Sequence, residues 1–356
     1  MADGLVHGHD GLALTTRAAG RPSHYAALDL GTNNCRLLIA VPTQRGFRIV
    51  DAYSRIVRLG EGLSHSGRLS EAAMERTIAA LRVCADKLRR HEPVTLRAIA
   101  TQACRSAENG AAFLAEAAAR TGIALDIITP REEARLSVEG CSSLIDPQAQ
   151  AVLVLDVGGG STELAWVDLR GWRPGSGAPP IAAWLSIPIG VVTLAERFPE
   201  GSEGQGSADL WFRAMVEAVK APVAAFAPAE RLRGVFASGR AHLIGTSGAI
   251  TSLAGLHLGL ARYERSKVDG LWMSRADCEA VRARLSGLSP AERARHPCIG
   301  PDRADLVLAG AAILEAVQEV WPCERVRVAD RGLREGVLLS LMRERGRRGR
   351  RRRSRR

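Results

Sequence analysis

Residues 151–167 read AVLVLDVGGGSTELAWV. An apolar run from Ala151 to Leu155 ends at Asp156. Gly158, Gly159 and Gly160 follow, then the hydroxyls of Ser161 and Thr162, then Glu163 and a second apolar run, Leu164 to Val167. The pattern predicts strand, tight turn, strand. Glycines let a backbone enter positive φ and bring its N–H groups close to a ligand. Successive N–H groups in such a turn make a concave anion site. Asp156 and Glu163 flank that site, and carboxylates beside a phosphate cradle are unfavourable without a cation between them. Bound Mg²⁺, or another divalent cation, is therefore expected. The plain alternative is a glycine hairpin with a surface Asp, but three consecutive glycines cost backbone entropy where Asn-Gly would serve. No Lys-Ser or Lys-Thr comes after the glycines, so this is not a Walker loop. The residues after the turn are strand-like and not helical, so it is not a dinucleotide fingerprint.

The same unit occurs earlier, in YAALDLGTNNCRLLIA at residues 25–40. Asp29 matches Asp156, Gly31 matches Gly158, and Leu37 matches Leu164. Thr32 and Asn33 complete the first turn, and Arg36 sits just beyond it. Two copies of one supersecondary unit predict two similar domains, each offering a phosphate turn to a shared cleft. That arrangement resembles the actin-like, ribonuclease-H-like ATPase superfamily. The expected fold class is α/β, with two actin-like domains and an interdomain cleft.

The 356 residues suffice for two domains and a sizeable core. The chain is 46% apolar and 24% charged, ordinary for a globular protein. Its formal charge of +11 is uneven: residues 343–356, RERGRRGRRRRSRR, hold ten Arg and one Glu. The basicity thus belongs to a tail, and a generic nucleic-acid-binding surface is not implied for the body. Self-repulsion among those arginines predicts that the tail is disordered past about residue 345, with RNA or another polyanion as its contact. Seven scattered cysteines without a C-x-x-C fit small core residues in a reducing compartment. The first residues lack the features of a signal peptide, and no apolar run is long enough to span a membrane. A cytoplasmic protein is expected.

Along the chain, residues 1–22 show no periodicity and are expected to be disordered. The pattern then predicts strands at 25–30, 35–41 and 47–59, a helix at 71–90, a strand at 96–101, a helix at 111–120, a strand at 125–129 and a helix at 131–144. Domain I is placed at 23–145 and domain II at 146–332. In domain II, strands are expected at 151–167 (two), 181–187, 234–238 and 324–329. Helices are expected at 208–226, from Gly248, at 275–286 and at 303–321. A last helix, 333–345, is expected to cross back to domain I, and 346–356 form the tail.

Glu132 and Glu133, in TPREEARL, are adjacent, so on a helix they point about 100° apart and only one can face the cleft. Acids in a first helical turn also suit the macrodipole without any catalytic role. A carboxylate aimed at a phosphate cleft could orient or deprotonate a water. Arg36 and Arg105 lie just past strands and suit bidentate phosphate recognition. Ser247 and Gly248 open a helix whose N-terminus is a ready anion site. Asp330, before the last helix, reads as its N-cap. No His or Cys pair has metal-ligand spacing on one face.

Taken together, ALDLGTNNCRLLIA, LGEGL…GRLSEAA, ATQACR, EEARL, VLDVGGGSTEL, GTSGAI and VADRGLREGVL resemble the exopolyphosphatase/guanosine pentaphosphate phosphohydrolase family from about residue 25 to 340. The resemblance implies that Glu133 is the catalytic glutamate. It implies that Asp156 and Glu163 are the acidic pair tied to water activation and Mg²⁺, with Asp29 as their counterpart in the first turn. Gly31, Thr32, Asn33, Arg36, Arg105, Gly158 to Ser161, Ser247 and Gly248 would contact phosphate. Thr-Pro-Arg precedes the glutamates where members often have Ser-Gly-Asn or Ser-Gly-Lys. The chain resembles the short, two-domain members. The implied activity is hydrolysis of the terminal phosphoanhydride of polyphosphate, with the 5′ γ-phosphate of guanosine pentaphosphate (pppGpp) as the alternative substrate, and a homodimer is expected. A sugar kinase would need an adenosine pocket and an acceptor site. A non-catalytic polyanion-binding module would not need the three acids.

Overall fold

The structure, a computed structural model, describes residues 24–353, apart from 45, 174–176 and 202–206, with side chains to Glu344. The N-terminal segment 1–22 and the last three residues lie outside the described residues. The first sheet holds β1 (His24–Leu30), β2 (Asn34–Thr43), β3 (Gly46–Ile56), β4 (Val94–Ala100) and β5 (Asp126–Ile127) in the order β3-β2-β1-β4-β5. The second holds β6 (Ala151–Val157), β7 (Thr162–Asp168), β8 (Ile181–Ile187), β9 (Ala241–Thr246), β10 (Trp272–Ser274) and β11 (Arg325–Ala329) in the order β10-β11-β9-β6-β7-β8. Read from β8, the order 8-7-6-9-11 repeats 3-2-1-4-5, and β10 is an added edge strand. Each sheet begins with antiparallel strands and continues with parallel ones. These are two actin-like domains.

β6 is apolar along almost its whole length because both of its faces are covered, as a central strand with helices on either side requires. The helix Glu71–Arg90 packs on the first sheet. Ser70 caps it by accepting from the Ala73 N–H, and Ile78, Leu81, Cys84 and Leu88 face the core.

Two helices join the halves. Pro130–Cys141 follows the last strand of the first sheet, yet its Ala134, Val138 and Cys141 pack on β6 and β7 of the second sheet. Its Leu136 faces the other way, into a cluster with Tyr25, Ala27, Leu38, Val337 and Leu338. Val337 and Leu338 belong to the last helix, Leu333–Arg353, which returns to the first sheet. Glycines allow this crossing. A Cβ on Gly140 would lie 1.9 Å from the Gly332 carbonyl oxygen, and one on Gly336 would lie 1.9 Å from that of Leu136. Away from the crossing, Glu196 of the second half accepts from the Gly62 N–H (3.0 Å) and the Ser64 hydroxyl (2.6 Å) of the first. Arg58 meets Asp305 at 3.3 Å.

Three expectations differ from the structure. Residues 233–237 form a short helix, and the strand lies later, at Ala241–Thr246. His242 interrupts that apolar run and disguises it. It is fully buried, and its Nε2 accepts from the Asp146 N–H at 3.1 Å. The helix expected from 303 begins at Val307. The last helix runs to Arg353, where the tail was expected to be disordered past 345. Arginine is a good helix former, and propagation from a packed helix needs no new nucleus. Six of the seven cysteines are buried and all are free. Among the described residues no helix is long and apolar enough to cross a membrane.

Candidate active site

A cleft of about 310 Å³ opens between the halves, and both glycine turns line it. In the second turn the Gly158 N–H donates to the Ser161 carbonyl at 2.9 Å. The carbonyls of Gly158 and Gly159 accept from Val191 (3.0 Å) and Val192 (2.8 Å), at the start of the helix Val191–Arg197. A trans peptide turns its N–H opposite to its carbonyl, so the N–H groups of Gly159 and Gly160 face away from that helix. The first turn is tied back in the same manner: the Thr32 carbonyl accepts from Gly60 (2.9 Å) and that of Asn33 from Val57 (2.9 Å). The two turns abut. A Cβ on Gly159 would lie 3.1 Å from the Asn33 Cβ, and one on Gly160 would lie 2.8 Å from the Thr32 Oγ1. Glycine is needed here for close approach.

The acids come from strand ends and from one helix. Asp29 ends β1 and Asp156 ends β6. Asp156 stands opposite Glu163 in the β6/β7 ladder. Glu133 lies in the first turn of Pro130–Cys141, a helix capped by the Thr129 hydroxyl, which accepts from the Glu132 N–H. Glu133 lines the cleft and is 7% exposed. Glu132 instead pairs outward with Arg97 and Arg135, which resolves which glutamate faces inward.

Burial pushes the Asp156 carboxyl up to about 6; a hydrogen bond from Ser137 opposes this and the charge of Asp29 adds to it. Glu163 is pushed up to about 7 by burial and by Asp156, against hydrogen bonds from Ser161 and Ser186. Glu133 is raised well above the usual carboxylate value by burial and by Glu163, with Arg105 opposing. Asp29 is raised by burial, with Arg36 and Arg334 opposing. Each shift is led by burial, which disfavours the charged carboxylate.

Asp29 Oδ1 and Asn33 Oδ1 are buried acceptors without a hydrogen-bond partner among the described residues. Both residues line the cleft. No three His, Cys, Asp or Glu among the described residues lie close enough to hold a metal unaided. This donor set fits a hard cation that takes one or two carboxylates and fills its other positions with phosphate oxygens and water. It does not fit a closed, all-protein metal cage.

All the site residues expected from sequence line the cleft except Arg105. Arg105 stands behind Glu133: Nη1 donates to the Ile128 carbonyl (2.8 Å) and lies 3.3 Å from Glu133 Oε2, and Nη2 donates to Gln102 (2.8 Å). These three bonds use the Nη1 donors and one Nη2 donor of a guanidinium that carries five N–H groups. The Ser247 hydroxyl accepts from the Ile250 N–H (3.1 Å) and caps the helix Gly248–His257, which leaves first-turn N–H groups for an anion. Asp330 is not the expected cap. It accepts from the Tyr263 hydroxyl (2.7 Å), while Glu335 takes the Gly332 N–H (2.9 Å).

Sequence reasoning missed Arg303 and Arg334, which also line the cleft. Arg334 lies in the DRGLREG turn, a signal that was present. Arg303 packs over Gly248, whose added Cβ would lie 3.3 Å from its Cζ, and nothing local marks it.

Two actin-like domains facing each other across paired glycine turns define the class of protein. A sequence profile of the Ppx/GppA phosphatase family matches residues 38–345. Exopolyphosphatase 2 of Mycobacterium tuberculosis (strain CDC 1551 / Oshkosh) is 31% identical over 329 residues, which cover 89% of this chain and 98% of that protein. The crystal structure of the Aquifex aeolicus member of the Ppx/GppA family superposes with a TM-score of 0.72 at 26% identity, over 90% of this chain and 98% of that one. An exopolyphosphatase from Cytophaga hutchinsonii ATCC 33406 has a TM-score of 0.76 at 23% identity, over 89% and 97%, a likeness of fold. The chain belongs to the Ppx/GppA phosphatase family.

Proposed function

We propose that the protein is an exopolyphosphatase, which hydrolyses the terminal phosphoanhydride of inorganic polyphosphate and releases phosphate. The observation that carries this reading is the contact of Gly159 and Gly160 with Thr32 and Asn33, which sets two anion-binding turns side by side in the cleft that the buried Glu133 also lines. The terminal phosphoryl group would lie between the turns, with N–H groups on its oxygens. Glu133 would orient a water and accept its proton as the water oxygen bonds to phosphorus. The bond from phosphorus to the bridging oxygen breaks, and the shortened chain leaves with that oxygen. Arg105 holds the Glu133 carboxylate in place from behind.

One or two of the carboxylates Asp29, Asp156 and Glu163, together with phosphate oxygens and water, would hold Mg²⁺, which would offset charge on the phosphoryl oxygens when bound. Arg36, Arg303 and Arg334 add positive charge along the cleft for the rest of a polyanion.

The name of the mycobacterial relative favours polyphosphate over guanosine pentaphosphate. Steady-state phosphate release from the two substrates at equal phosphate-end concentration tests this choice. A kcat/KM higher for guanosine pentaphosphate would overturn it. The reading also takes the protein to be a cytoplasmic homodimer, testable by fractionation and by light scattering. Its arginine-rich end would gather polyanions, polyphosphate or RNA, near the cleft. A truncation after Glu344 that left the long-chain KM and its salt dependence unchanged would contradict the role of the tail.

A further inference from the structure

The helix Pro130–Cys141 brings two polar side chains to the acidic wall. Glu133 and Ser137 are four residues apart and so share a face. Ser137 is 1% exposed, and its hydroxyl donates to Asp156 Oδ2. A serine inside a helix commonly spends its hydroxyl on the carbonyl one turn back. Here the one side-chain hydrogen bond described for Ser137 goes to the strand-end acid instead. Its neighbours Ala134 and Val138 supply the apolar packing on the second sheet, and alanine would serve the helix better than serine. Neither packing nor propensity accounts for the hydroxyl. Its bond to Asp156 does.

With Oδ2 accepting from Ser137, Asp156 keeps Oδ1 and one lone pair of Oδ2 for the cleft that it lines. We propose that Ser137 is a positioning residue for the hydrolysis. It fixes the Asp156 carboxylate so that its free oxygen faces the space beside Asp29 and Glu163, and it ties that orientation to the helix carrying Glu133. Groups that orient a metal-holding carboxylate set its affinity as well as its geometry. This inference rests on Asp156 being a cation-holding acid.

The test compares Ser137→Ala, Ser137→Thr and Asp156→Asn in the full-length protein. Mn²⁺ affinity is measured without substrate by electron paramagnetic resonance. It is measured alongside kcat and KM on a short polyphosphate and the melting temperature. Ser137→Ala is expected to weaken Mn²⁺ binding and lower kcat by about 10-fold, with KM changed less than about twofold. Ser137→Thr keeps the hydroxyl and recovers most of both. Placed on Asp156→Asn, Ser137→Ala adds no further loss, because its only route of action is gone. Unchanged Mn²⁺ affinity in Ser137→Ala overturns the proposal, whether the melting temperature holds or falls. So does a full further loss on the Asp156→Asn background. If Asp156→Asn itself keeps normal Mn²⁺ affinity and turnover, the assignment of Asp156 fails first.

Discussion

Arg36 and Glu163 occupy equivalent places in the two halves. Arg36 stands opposite Asp29 in the β1/β2 ladder, and Glu163 stands opposite Asp156 in β6/β7. The repeat that builds both sheets therefore puts a cation beside the first strand-end aspartate and a second acid beside the other. The first half partly neutralises its own carboxylate, and the second half collects negative charge. Substitutions at the two positions should separate. Arg36→Gln is expected to raise KM for polyphosphate about 10-fold with the Mg²⁺ titration little changed. Glu163→Gln should shift the Mg²⁺ titration to higher concentration. Matching effects of the two variants on the Mg²⁺ titration would contradict this division.

Arg105 should tune Glu133. Its guanidinium opposes the burial that raises the Glu133 carboxyl. A base works only when deprotonated, so kcat/KM should fall as pH drops through the raised Glu133 value. Arg105→Ala removes the opposing charge, raises that value further and moves the acidic limb to higher pH. A pH–rate profile checks this. A limb that stays in place would mean that Arg105 acts on substrate alone.

The buried acids also make stability depend on pH. Asp156 is raised to about 6 and Glu163 to about 7, so the folded protein binds more protons than the unfolded chain between about pH 4 and 7. Their contribution therefore falls as pH rises through that window and is most unfavourable above pH 7. A divalent cation held by the same acids should reverse this. Mn²⁺ is expected to raise the melting temperature at pH 8 and to raise it less at pH 5.5. Thermal unfolding at both pH values, with and without Mn²⁺, measures it. A larger shift at pH 5.5 would contradict the assignment of these acids to the cation.

The contact between the turns predicts a cost at Gly160. An alanine Cβ there would lie 2.8 Å from Thr32 Oγ1 and 3.0 Å from the Gln102 side chain, so Thr32 or the turn carrying it must shift. Gly160→Ala should lower kcat/KM by roughly 10-fold or more, since small misplacements of phosphate-orienting groups cost heavily. Gly234→Ala, with nothing within 4 Å, is the control and should leave kcat/KM unchanged. Equal behaviour of the two variants would show that the turns do not need their contact.

The two turns were legible because each is contiguous: apolar run, Asp, small residues, apolar run. So was the choice of strand after the glycines. The choice between Glu132 and Glu133 came only from the family resemblance and not from helix geometry, because the outward pairing of Glu132 depends on Arg97 in β4. The bonds of Arg105 were not legible, since its partners Gln102, Ile128 and Glu133 come together only on folding. Arg303 joins the cleft by packing over a distant helix start, for which the chain carries no local sign. The strand 241–246 was hidden by a buried histidine whose partner, the Asp146 N–H, lies 96 residues away.

If Glu133, which lines the same cleft as the paired turns, activates water against the terminal phosphorus of polyphosphate, turnover depends on its carboxylate. Glu133→Gln keeps the shape and removes the base. The direct measurement is phosphate release from polyphosphate of defined length by wild type and Glu133→Gln, with binding of the same polymer measured alongside. Turnover is expected to fall by roughly 10²–10⁴-fold while the dissociation constant changes less than about threefold. Near-normal turnover in Glu133→Gln would contradict it.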